Sequence, residues 1–186
     1  MTGQRADARR NYARILAVAE AEVAAHGADA SLEQIARVAG VGSATVRRHF
    51  PGRPALLAAV FGERIEALCA RAAELAGAVD ARAALLEWLG AFTDYAASAR
   101  GLADALVQDG LYDPEHVNVC SVKLAGALEP LLRHAAQAGA VAPGVTAADL
   151  IALVTGVALA TEHHPDPAAE AHRLLALAVA GVSPRG

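Results

Sequence analysis

Arg47 and Arg48, with Ser43, Ala44 and Thr45 just before them, are the side chains of this sequence best fitted to a specific chemistry. A guanidinium is a planar fork of donors that pairs with phosphate oxygens or with O6 and N7 of guanine. On a helix, Val46 and Phe50 lie four apart and turn inward, which leaves Ser43, Ala44, Arg47 and Arg48 facing out. Small residues at the tip with arginines behind them suit a helix entering the major groove of double-stranded DNA. Catalytic chemistry finds no comparable footing. Ser121 and His116 are five apart with no carboxylate placed to orient the histidine, and neither a Gly-x-Ser-x-Gly elbow nor a phosphate loop is present. No enzymatic activity is expected.

The elements that must hold those arginines are legible upstream. Ser31 and Gln34 stand at capping-box spacing, and Leu32, Ile35, Ala36 and Ala39 form a narrow apolar stripe on a short helix. Gly40 falls where a sharp turn needs positive φ, Val41 follows as an apolar plug, and past Gly42 the hydroxyl of Ser43 can cap a second helix. A first helix over 7–26, with Tyr12, Ile15, Leu16, Ala19 and Val23 on one face, supports the pair. Pro51-Gly-Arg-Pro54 then breaks the pattern. Pro54 suits the first turn of a fourth helix running toward Ala78.

Ala36, Gly40, Val41, Thr45 and Val46, then Arg48-His49-Phe50-Pro51 and Ala55-Leu56-Leu57, resemble the helix-turn-helix signature of the TetR family of bacterial transcriptional regulators. The resemblance covers roughly the first 60 residues. It implies a three-helix DNA-binding head, an all-helical body that binds ligand and dimerises, and repression relieved by a small molecule. Two positions depart from the family: Arg47 stands where a tyrosine is common, and Arg53, followed by Pro54, stands where a lysine is common. Both keep a phosphate-seeking group. The expected DNA contacts are Ser31, Gly42, Ser43, Ala44, Thr45, Arg47, Arg48, His49 and Arg53.

Composition agrees with an all-α fold. The chain is 55% hydrophobic but 4% aromatic, its apolar content dominated by alanine, leucine and valine. The formal charge of −4 argues against nucleic acid only until its distribution is read. Residues 1–53 hold eight arginines against five acids, a net +3, and the remaining chain holds eight bases against fifteen acids, a net −7. A DNA-binding domain over 1–53 and a ligand-binding, dimerising domain over 54–186 follow. About nine helices are expected, the last five over 81–98, 100–109, 114–138, 146–162 and 167–181.

Within that body, Trp88, Phe92 and Tyr95 stack at i, i+4 and i+7. They read equally as core or as the wall of an effector pocket, with Phe61, Leu102, Tyr112, His116 and Cys120 as candidate partners. Cys69 and Cys120 read as buried free thiols. Glu162, His163, His164 and His172 match no zinc spacing, so no metal or cofactor is expected. Residues 146–162 and 167–181 are apolar around most of their circumference and are expected to form a two-fold homodimer. The N-terminus lacks a signal-like apolar block, and the apolar run from Leu150 to Ala160 is too short to span a bilayer, so a cytoplasmic protein is expected. The resulting reading is a repressor bound to a palindromic operator and released by a small molecule. Its rivals are a ligand-dependent activator or co-repressed regulator, and a helical interaction module that keeps the fold.

Overall fold

Eight α-helices and no strand make up residues 2–26, 29–99 and 114–182, the part of the chain described by a computed structural model. They are α1 (Thr2–His26), α2 (Leu32–Val38), α3 (Ser43–His49), α4 (Arg53–Leu75), α5 (Ala81–Ser98), α6 (Pro114–Gln137), α7 (Ala147–Ala160) and α8 (Pro167–Val182). The all-α expectation holds, and the helix expected over 100–109 lies outside the described residues. The chain divides into two units, one holding the residues up to Glu63 and the other Arg64–Ser98 with the helices from Pro114 onward. The division falls within α4.

The first unit packs Ile15, Leu16, Ala19 and Val23 of α1 with Ile35 and Ala36 of α2, Val46 of α3, Phe50, and Leu56, Leu57, Val60 and Phe61 of α4, all buried. The two seven-residue helices are too short to stand alone, so this shared apolar core is what folds them. Tyr12 closes one side, its ring stacked on Phe50 at 5.3 Å between centroids.

In the second unit α5 packs against α6, α7 and α8 around one core. Trp88 is fully buried there, and its indole N–H donates to the Leu68 carbonyl at 2.8 Å, which fastens α5 to α4 while meeting the one polar need of a large apolar ring. Gly139 ends α6 at φ +70°, with the Ala140 N–H reaching back to the Ala135 carbonyl, so the chain can turn into α7.

The start of α7 carries a full capping box. Thr146 Oγ1 accepts from the Asp149 N–H at 3.2 Å, and Asp149 Oδ2 accepts from the Thr146 N–H at 2.9 Å. The Thr146 hydroxyl and then its backbone N–H hold the Asp149 carboxyl below its ordinary value of 3.8. A depressed folded-state pKa means that the cap contributes fully above that ordinary value and is lost as pH falls through the folded one. Amide exchange in the first turn of α7 should therefore accelerate below about pH 4. Asp149→Asn should remove that pH dependence, and an unchanged profile in the variant would refute the assignment.

Candidate nucleic-acid interface

The pair α2 and α3 is built from the turn outward. Gly40 adopts φ +64°, which an L side chain rarely tolerates. Its N–H bonds the Arg37 carbonyl at 3.2 Å and the Val41 N–H bonds that of Ala36 at 3.0 Å, satisfying the last carbonyls of α2 while the chain reverses. Two expected caps differ in detail. Ser31 Oγ accepts from the Gln34 N–H at 3.2 Å as anticipated, but the Ser31 N–H goes to Glu22 on α1, 3.3 Å away, and the side-chain Oε1 of Gln34 accepts from Arg37. Glu22 thus completes the cap and fastens α2 to α1. The N-cap of α3 is Gly42, not Ser43, so no side chain caps this helix, and Ser43 is its first residue.

Alternation along α3 is clean. Val46 is 1% exposed and Phe50, just past the helix, 2%, while Ser43, Ala44, Arg47 and Arg48 are exposed and Thr45 is half-buried. Three basic residues, Arg47, Arg48 and His49, also fill the last turn, where they complement the helix dipole. His49 is drawn partly inward, its ring edge-on to Tyr12 at 5.8 Å, so it packs as much as it presents. Arg47 Nη2 lies 3.2 Å from Glu33 of α2, and Arg53 Nη2 lies 3.0 Å from Asp29. The residues expected at the DNA therefore occupy one unit, with the exposed side of α3 at their centre. Sequence reading missed the two acids. The partners are fourteen and twenty-four residues apart, beyond any helical spacing rule.

The expected effector residues separate. Trp88, Phe92 and Tyr95 do stack, at 5.5 and 6.0 Å between successive centroids, but Trp88 and Phe92 are core side chains, 0% and 3% exposed. Tyr95 is half-buried, and burial, helped by neighbouring Cys120 and opposed by Arg64, pushes its phenol up to about 12. Cys69 and Cys120 are half-buried, not fully buried, free thiols. Burial is the main cause that raises both thiol pKa values, which keeps them protonated near neutrality. Phe61 belongs to the first unit. Leu102 and Tyr112 lie outside the described residues, as does the side chain of His116. A small apolar cavity of about 30 Å³, room for a water or two, opens elsewhere in the second unit, beside Leu85, Leu89, Val141, Leu150, Val154 and Leu175.

His172 does not turn toward Glu162, His163 and His164. Its Nε2 lies 2.6 Å from Asp94 of α5, while His164 Nδ1 accepts from the Asp166 N–H at 3.3 Å. Among the described residues no cluster of three or more His, Cys, Asp or Glu is arranged to hold a metal ion.

Comparison with known proteins covers both units. A family model of bacterial regulatory proteins, tetR family, matches residues 15–60, and one of a transcriptional regulator SbtR-like C-terminal domain matches residues 80–184. The chain is 37% identical to a TetR transcriptional regulator of Streptomyces coelicolor, whose crystal structure it matches with a TM-score of 0.76 over 94% of this chain and 99% of that one. It is 33% identical to a TetR transcription regulatory protein of Mycobacterium vanbaalenii, with a TM-score of 0.72 over 97% and 99%. A structure described as the molecular basis for control of antibiotic production by bacterial hormones shares the fold at 22% identity, with a TM-score of 0.65 over 94% and 98%. No curated protein matches the chain.

Proposed function

The chain belongs to the TetR family of bacterial transcriptional regulators, and we propose from that membership that it represses by binding a palindromic operator as a homodimer and leaves when a small molecule occupies its body. The observation that carries the DNA side of this reading is the two-faced α3, with Val46 and Phe50 locked in the core and Ser43, Ala44, Arg47 and Arg48 outward. Major-groove reading needs that arrangement, because the reading face must project while the opposite face fixes its angle. No helix among the described residues is long and apolar enough to cross a membrane.

Dimerisation is supported by α7 and α8. Each buries one side in the core yet leaves apolar surface outside, with Leu159 66% and Leu177 59% exposed. Leucines of that exposure on neighbouring helices favour a partner surface, and an isologous four-helix contact supplies one.

For the effector, the half-buried Tyr95 is the accessible end of the Trp88-Phe92-Tyr95 row, with Cys120 beside it. The fold neighbour connected with bacterial hormones supports a small-molecule signal. Because α4 runs from the first unit into the second without interruption, a bias on its body portion is also a bias on the element that leaves α3. A coupling of about 1–3 kcal/mol would weaken operator binding roughly 5- to 150-fold, and operator would weaken effector binding by the same factor.

Selection of bound sequences from random duplex DNA tests the proposal. The expected product is a palindrome with half-site centres one helical turn apart, about 34–36 Å. Enrichment of a single asymmetric site would refute the dimeric reading, and no enrichment would refute sequence-specific binding.

A further inference from the structure

Two arginines of the candidate interface are already engaged by acids of their own unit. Arg47, on the outward side of α3, is paired with Glu33 in the first turn of α2, and Arg53, which opens α4, is paired with Asp29. Each pair ties together elements that a local rule does not place side by side. All four side chains are substantially exposed, from 37% for Arg53 to 94% for Asp29, so each pair is cheap to break. Arg53 is the more constrained. Its Nε is buried and without a hydrogen-bond partner among the described residues, which leaves the Nη end to choose between Asp29 and a phosphate.

Charge bookkeeping gives these pairs weight. The first 53 residues carry a net +3, so engaging two of their eight arginines removes a large part of the cationic surface offered to DNA. Sequence-independent affinity comes almost wholly from phosphates neutralised and counterions released, one per arginine that reaches the backbone. We propose that Glu33 and Asp29 are specificity-determining residues that hold Arg47 and Arg53 off the phosphates of non-cognate DNA. Only a duplex whose contacts repay the broken pairs obtains both arginines. The inference rests on α3 being the DNA-contacting element, and it adds that the acids, not the arginines alone, set the discrimination.

The test uses the full-length protein, its Glu33→Gln and Asp29→Asn variants, and a random-sequence duplex titrated at several salt concentrations. Each variant should bind the random duplex up to about fivefold more tightly than the native chain at low salt. Each should also steepen the slope of log affinity against log salt by about 0.9, an extra loss of about 3.5-fold across a fourfold rise in salt. A merely structural acid would not move that slope. Adding Glu33→Gln to Arg47→Ala should give no further gain, since the acid acts through the arginine. Slopes equal to that of the native chain would overturn the inference, as would a full gain persisting in the Arg47→Ala background, which would mean that the acids act by their own repulsion. Absence of any binding by the native chain would instead overturn DNA contact itself, and the inference with it.

Discussion

With alanine at both Arg47 and Arg48, operator affinity is expected to fall roughly 30- to 20,000-fold while helix content and thermal midpoint stay at native values. A bidentate arginine contact to a base is worth about 1–3 kcal/mol, and each 1.4 kcal/mol is tenfold, so two such contacts span that range. Stability should not follow, because both side chains are exposed and the ion pair that Arg47 makes with Glu33 is solvent-accessible. The two arginines should also separate by type of effect. If Arg48 reads a base, Arg48→Ala alone relaxes the preference at one position of each half-site. If it meets a phosphate, affinity drops evenly across sequences and the salt slope falls by about one. Fluorescence anisotropy with the selected duplex measures all of these quantities, and native affinity in the double variant would remove α3 from the interface.

What could be read from the sequence follows the range over which each signal acts. The turn between α2 and α3 was legible because its cause is local: Gly40 needs positive φ, and Ala36, Arg37 and Val41 supply the returning hydrogen bonds within six residues. The inward set of Val46 and Phe50 was equally plain, since helical period alone decides it. Departures begin where a partner comes from another element. The N–H of Ser31 took Glu22 in place of Gln34, and His49 settled against Tyr12, because α1 crosses both sites and no spacing within 31–53 reveals that. The capping box of Thr146 and Asp149 was visible by the same spacing that located Ser31 and Gln34, yet residues 139–144, rich in glycine and proline, drew the boundary instead. For the body, periodicity placed Trp88, Phe92 and Tyr95 on one face but could not say what covers that face. The indole bond to Leu68 is a tertiary event.

That same indole gives the largest expected effect on stability. Trp88→Ala should cost about 3–5 kcal/mol, because truncation leaves a cavity among α4, α5 and their neighbours that rigid helices only partly close. Phe50→Ala should cost about 3 kcal/mol or more in the first unit for the same reason, with the stacked ring of Tyr12 losing its partner. Trp88→Phe separates packing from hydrogen bonding. It keeps an aromatic ring against Phe92 but loses the donor to the Leu68 carbonyl, worth about 0.5–1.5 kcal/mol, so its cost should fall well below that of alanine. Denaturant unfolding followed by circular dichroism reads all three variants, including the two at Trp88 that remove the chain's single tryptophan. The outcome bears on the effector as well. A residue lining an open pocket touches solvent on one side and loses little when shortened, whereas one packed on every side loses the full cavity term. A cost below about 1 kcal/mol for Trp88→Ala would make Trp88 a pocket wall; a cost above about 3 kcal/mol fixes it as the pin between α4 and α5 and leaves Tyr95 as the member of the row, among the described residues, that an effector can reach.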